Sequence, residues 1–273
     1  MNTIIFDMDD TLVVEEESAR AAFLTTCEFA QDRCGVDPQE LHAAVRQSCR
    51  ALWHESPARA YCLQVGISSW EGLWAEFLGP HESLAVLRNW SETYRTSSWH
   101  DALRTCGHDC PELASELGDT FIRERRKLHV VYDDVMPALE HLRASCRLGL
   151  LTNGAPDLQR RKLEGSGLAH FFDEVVISGE VGFGKPDERI FNLTLARLCT
   201  TAESAVMVGN SLSSDIQPAK AVGMRTVWLN RGGNARDESM RPDAEVASLT
   251  RLKEFFEQGA ALGGDSAALH SRR

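Results

Sequence analysis

From His129 onward, short apolar runs alternate with amphipathic stretches, and this pattern constrains the fold more than any other feature of the chain. Residues 135–145 read as a helix and 148–151 as a strand. Residues 157–166 read as a helix, 174–177 as a strand, and 187–198 as a helix. A strand over 205–208, a helix over 215–221, a strand over 226–229 and a last helix over 249–258 complete the series. Strands that alternate with helices predict a parallel sheet covered on both faces. Near the start, Ile4-Ile5-Phe6 is a short apolar run that stops at an aspartate and reads as one more buried strand.

Between that first strand and the alternating region lies a stretch of helical spacing, 15–129. Phe23, Cys27 and Ala30 share a face, as do Leu41, Val45, Cys49 and Leu52, and as do Trp70, Leu73, Trp74 and Phe77. The predicted organisation is an α/β core from 1–14 and 130–258, a Rossmann-like parallel sheet with helices on both faces. An all-helical domain is inserted at 15–129. The stretch 259–273, rich in Gly, Ala and Ser, reads as a disordered tail.

The formal net charge of −11 argues against general nucleic-acid binding, which needs basic patches. No apolar run has the length to cross a bilayer, and the aspartate-interrupted N-terminus does not read as a secretory signal. Eight widely spread cysteines read as reduced thiols of a cytoplasmic protein. The tightest group, Cys106 to Cys110 with His100 and His108 nearby, offers one loose pair where zinc wants two matched ones. It reads as a loop or helix end.

In open parallel sheets, chemistry collects at the carboxyl ends of the strands. There the chain carries Asp7-Met8-Asp9-Asp10-Thr11, then Thr152-Asn153-Gly154, then Gly184-Lys185-Pro186-Asp187, and then Gly209-Asn210-Ser211 with Asp215 close behind. A carboxylate such as Asp7 can attack phosphorus. A second one, Asp9, can protonate the leaving oxygen and later deprotonate a water. Crowded carboxylates split their pKa values, which suits one nucleophile and one acid. Carboxylate and carbonyl oxygens are also what magnesium prefers. Thr152 offers a hydroxyl, Asn153 a backbone N–H and Lys185 an ammonium to phosphate oxygens. Each short motif alone is an ordinary turn; four in this order at strand ends are a different matter.

These four motifs resemble those of the haloacid dehalogenase superfamily. Phe6 to Leu12 matches its DxDxT signature, Thr152 its second motif, Lys185 its third, and Gly209 to Asp215 its fourth. The helical insertion after the first motif resembles the family's type 1 cap. The resemblance implies a magnesium-dependent phosphatase that hydrolyses a small phosphorylated metabolite through an aspartyl-phosphate. Asp7 would be the nucleophile and Asp9 the acid/base. Thr11, Thr152, Asn153 and Lys185 would bind phosphate, and Asp7, Asp9, Asn210 and Asp215 would hold Mg2+. The family's dehalogenases lack the second aspartate, so Asp9 points to phosphate chemistry. Where the family usually has Asp in the fourth motif, this chain has Asn210. An amide coordinates without charge, which leaves Asp215 as a direct or water-mediated ligand. The alternatives are a phosphomutase or phosphotransferase with the same intermediate, a phosphate-binding protein with weakened catalysis, and a dehalogenase. A monomer or homodimer fits equally.

Two further groups carry competing readings. Trp53, Trp70, Trp74, Trp90 and Trp99 all lie in the predicted cap and read as its core rather than as a pocket lining. Arg123, Arg125, Arg126 and Lys127 read as a solvated helix face rather than as a contact to an anionic substrate.

Overall fold

The structure is a computed structural model that describes residues 2–235 and 239–252. Strand β1 spans Thr3–Phe6, and seven helices follow it before the next strand, the first six of them in the inserted region. Those six are α1 (Glu15–Cys34), α2 (Pro38–His54), α3 (Arg59–Val65), α4 (Ser69–Gly72), α5 (Glu82–Thr105) and α6 (Pro111–Arg125). The chain then alternates: α7 (Val135–Arg143), β2 (Arg147–Thr152), α8 (Pro156–Gly165), β3 (Glu174–Ile177), α9 (Ser178–Val181), α10 (Glu188–Arg197), β4 (Ala205–Gly209), α11 (Gln217–Ala221), β5 (Arg225–Leu229) and β6 (Ala244–Val246).

The sheet order is β3-β2-β1-β4-β5-β6, and every pairing is parallel. All four residues of β1 and all five of β4 are buried, as strands covered on both sides must be. The pleat sends alternate residues to opposite faces. Ile4 and Phe6 pack with Leu148, Leu150 and the α7 residues Val135 and Leu139. Ile5 packs on the other side with Leu151, Met207 and the α10 residues Ile190 and Phe191. The succession of strands reverses direction between β1 and β4, so a crevice opens beyond their carboxyl ends.

The helices α1 to α6 form the cap. Its apolar cluster runs from Phe23 through Trp53, Trp74 and Trp99 to Phe121, and it continues onto Ala155 and Leu158 at the start of α8. Trp53, Trp74 and Trp99 are therefore core, as their spacing suggested. Trp70 is only partly buried, with the Arg46 guanidinium 4.4 Å over its ring. The two connections between cap and sheet run side by side: Val14 N–H donates to the Val130 carbonyl at 2.9 Å, and Val13 bridges to Val131.

Three expectations need correction. Arg125 is not on a solvated face: it follows Leu117 and Phe121 at four-residue intervals, so its side chain points inward and is 1% exposed. There it pairs with Glu15 and lies 4.7 Å over Trp74, which together neutralise the buried guanidinium. The helix expected from Asp215 begins instead with a wide turn over Leu212–Ile216, and α11 starts at Gln217. A sixth strand, Ala244–Val246, extends the sheet beyond the strands the apolar runs suggested. Of the last predicted helix only a single turn, Leu249–Arg251, is seen, and the rest, like the tail, lies outside the described residues.

Candidate active site

The strand ends bring the sequence-selected residues to one place. Asp7, Asp9, Thr152, Asn153, Lys185, Asn210 and Asp215 all line a cavity of about 220 Å³ at the crevice. The cap closes over it with Gly66, Ser68, Trp70 and Glu71.

Asp7 leaves β1 with its N–H still donated to Val208 of β4 at 2.9 Å, which fixes its backbone at the switch of strand order. One carboxylate oxygen accepts from Lys185 Nζ at 2.6 Å and the other from Thr11 Oγ1 at 2.9 Å. Lys185 Nζ also donates to Asp215 Oδ1 at 2.6 Å. Burial alone would favour the neutral amine, but the Asp215 and Asp7 carboxylates beside it raise Lys185 above the ordinary lysine range. Burial pushes the Asp215 carboxyl up to about 6 against the pull of Lys185. The second Asp215 oxygen accepts the Ser211 N–H at 3.0 Å. This fold-back needs a glycine at 209, because a Cβ there would lie 2.3 Å from Asp215 Oδ2.

Thr11 does not line the cavity. It is wholly buried behind it, where its hydroxyl serves Asp7 and receives the Asn210 N–H at 3.1 Å. The Asn210 carbonyl is held by the Trp228 indole N–H at 2.9 Å. Asn153 uses its side chain on the Lys185 backbone, donating to the carbonyl and accepting from the N–H, both at 2.8 Å. These two bonds set the position of the Lys185 loop.

Asp9 is arranged differently. Its carboxylate faces α8, where Gln159 Nε2 donates to Oδ2 at 2.9 Å and Lys162 Nζ reaches both oxygens at 3.1 Å. Gln159 Nε2 also lies 2.6 Å from Thr152 Oγ1. Burial pushes the Asp9 carboxyl up to about 7, with Lys162 opposing and with Glu15, Glu71 and Asp7 assisting. Asp10 turns away to the helix start, with Oδ1 accepting the N–H groups of Glu15 and Glu16 at 2.9 and 3.2 Å. Gln159 and Lys162 carried no strand-end signal. Their spacing of three, one helical turn after Thr152-Asn153-Gly154, is the only trace of them in the sequence.

The oxygen donors suit a hard cation. Asp7 carries the carboxylate and Asn210 Oδ1 lies 3.4 Å from Thr11 Oγ1, beside it. Among the described residues no hydrogen bond is donated to the Asp9 carbonyl, so that oxygen is available. Both Asp215 oxygens already accept hydrogen bonds, which makes Asp215 the anchor of Lys185 and of the Ser211 turn in this arrangement. No group of three or more His, Cys, Asp or Glu side chains suited to a metal exists among the described residues, including the Cys106–Cys110 region. There Cys106 ends α5 and Cys110 precedes α6.

The sequence profile of the haloacid dehalogenase-like hydrolases matches residues 1–223. A phosphoserine phosphatase of Thermus thermophilus is 38% identical over 252 residues, covering 92% of this chain and 98% of that protein. An N-acylneuraminate-9-phosphatase of Mus musculus is 28% identical over 256 residues, 92% of each chain. The crystal structure of YfnB from Bacillus subtilis, bound to magnesium, superposes with a TM-score of 0.64 at 20% identity, covering 93% of this chain and 97% of that one; it shows the shared fold.

Proposed function

The chain belongs to the haloacid dehalogenase-like hydrolase family, with phosphatases among its relatives, and on that premise we propose that it hydrolyses a small phosphomonoester through an aspartyl-phosphate on Asp7. One observation carries the reading: Asp9, with its carboxyl pushed up to about 7, shares one cavity with Asp7, Thr152 and Lys185. A phosphatase of this kind needs one carboxylate that attacks and one carboxyl that can give and take a proton near neutral pH.

Asp7 attacks phosphorus while Lys185 Nζ, already 2.6 Å from its carboxylate, offsets the negative charge that gathers there. Thr152 Oγ1 donates to a phosphoryl oxygen, and Gln159 keeps that hydroxyl in place. Asp9 protonates the departing alkoxide and then takes a proton from the water that cleaves the acyl phosphate. Asp7, the Asp9 carbonyl and Asn210 would hold Mg2+, which supplies charge for the phosphoryl oxygens when bound. Such a donor set carries one formal charge fewer than one with Asp at 210.

A cavity of about 220 Å³ under the cap favours a small ester over a nucleotide-sized one. The Thermus thermophilus relative makes phosphoserine the first compound to try. Eight free cysteines fit a reducing compartment such as the cytoplasm. The test is turnover of p-nitrophenyl phosphate and of a panel of small phosphomonoesters with magnesium, by the wild type and by Asp7→Asn. The expected loss is at least about a thousandfold. An Asp7→Asn protein that turns over at the wild-type rate refutes the reading.

A second reading rests on Asn210: a phosphate-ligand-binding protein with weak catalysis. It predicts phosphate binding by calorimetry with no magnesium-dependent turnover of any ester in the panel.

A further inference from the structure

Lys162 is the buried charge for which the reaction so far described has no use. Its side chain is 2% exposed, and it meets three carboxylates from three parts of the chain. These are Asp9 at 3.1 Å, Glu15 Oε2 at 3.2 Å and Glu71 Oε1 at 3.3 Å. Asp9 belongs to the strand-end loop, Glu15 begins the first cap helix, and Glu71 sits in the cap segment that roofs the cavity. Glu71 is itself fixed, because its other oxygen accepts from the N–H and the hydroxyl of Ser68 at 2.9 and 2.8 Å. A buried ammonium with a single carboxylate would be costly, and one surrounded by several is held firmly in one place.

We infer that Lys162 is a positioning residue that aims the Asp9 carboxyl at the leaving oxygen, and that it does so fully only while the cap is seated, because Glu71 supplies part of its cradle. The inference rests on the phosphatase reading above. The other contacts of the same cap segment agree with it. The Val65 carbonyl accepts from Gly154 N–H at 3.1 Å and from Ser178 Oγ at 2.6 Å, so the segment is docked on the second and third strand ends. Gly66 lies so close to Asn153 that a Cβ would come within 2.8 Å of Nδ2. When this segment lifts, Lys162 loses Glu71 and keeps Asp9 and Glu15. Its ammonium is then free to settle toward Glu15, which loosens its hold on Asp9 and leaves Gln159 as the firmer of that carboxyl's two partners. Proton delivery is thereby tied to closure, which limits its use to a seated substrate.

A misaimed acid harms a poor leaving group more than a good one. The experiment compares phenyl phosphate with p-nitrophenyl phosphate, which differ in leaving-group basicity and little in size, at saturating magnesium. Wild-type turnover of p-nitrophenyl phosphate comes first; its absence refutes the phosphatase reading itself and is read separately. With the wild type active, Lys162→Met should lower kcat for phenyl phosphate by about a hundredfold and for p-nitrophenyl phosphate by less than about tenfold. Glu71→Gln, which removes only the cap's charge, should move the same kcat ratio in the same direction by about threefold. If Lys162→Met does not fold, as judged by circular dichroism and the melting transition, the ratio in Glu71→Gln and in Lys162→Arg decides. A kcat ratio equal to the wild type's in the folded variants overturns the inference, since a structural role alone lowers both rates together.

Discussion

Two buried lysines flank the loop after β1, and they are built on opposite principles. Lys185 sits between Asp7 and Asp215 at 2.6 Å from each, and all three residues belong to the α/β core. Lys162 sits among Asp9, Glu15 and Glu71 at 3.1 to 3.3 Å, and two of those three belong to the cap. The first cluster exists whatever the cap does. The second is complete only with the cap in place. On the reaction proposed above, the contrast would divide the labour: charge compensation at phosphorus would be permanent, and the aim of the proton donor conditional.

The largest effects should come from breaking either side at its centre. Asp9→Asn should cost about 10²- to 10⁴-fold in kcat for phenyl phosphate and far less for p-nitrophenyl phosphate, read from steady-state rates with both esters. Lys185→Met should cost about 10²- to 10³-fold with both esters alike, because it acts on the phosphoryl group and not on the leaving group. Equal profiles for the two variants would erase the distinction between the clusters. A smaller effect tests the metal side. Asn210→Asp should lower the magnesium concentration needed for half-maximal activity by about tenfold, since an anionic oxygen replaces a neutral one.

Stability should report the clusters too. The Asp9 carboxyl is pushed up to about 7 from an unfolded value of 3.8, so the folded chain holds the extra proton between these limits. Its contribution is therefore most favourable below about 4 and is lost as pH rises through about 7. In magnesium-free buffer the melting temperature of the wild type should fall relative to Asp9→Asn over that interval. A difference that stays flat with pH would show that Asp9 is not held in this environment. The smallest expected change is Gly66→Ala. The new methyl meets Asn153, at a position whose φ of 73° already disfavours a side chain, so KM should rise by about threefold while kcat changes little. A reversed split would mean that this contact belongs to the chemistry and not to the seating of the cap.

Much of the core cluster was legible because it is local. Asp7, Thr152 and Asn210 each sit at the end of a short buried run, Lys185 comes a few residues beyond another, and a parallel sheet gathers the ends of such runs at one edge. The uses of two motif residues were not legible. Thr11 was expected at the phosphate and is buried behind Asp7; Asn153 was expected to offer its backbone and also ties down the Lys185 loop with its side chain. Such differences depend on which way a side chain leaves a turn, and residue type alone does not state that. The basic run at 123–127 misled at one position, Arg125, for the same reason, while Arg123 and Lys127 do face solvent. Four cations in five residues resemble a wet surface, yet the i, i+4 line from Leu117 and Phe121 carries Arg125 inside, to Glu15 and Trp74.

Periodicity and strand-end motifs determined, from sequence alone, that this chain would build a capped parallel sheet with two aspartates, a threonine and a lysine at its edge. Both are short-range properties, written in neighbouring residues. Only the tertiary structure decided that Lys162, 153 residues from Asp9 along the chain, would meet it together with Glu15 and Glu71. Ion pairs between distant segments leave no periodic trace, because any exposed helix carries lysines and glutamates at the same spacing. What distinguishes this one is burial, and burial is settled only when cap and core close on each other.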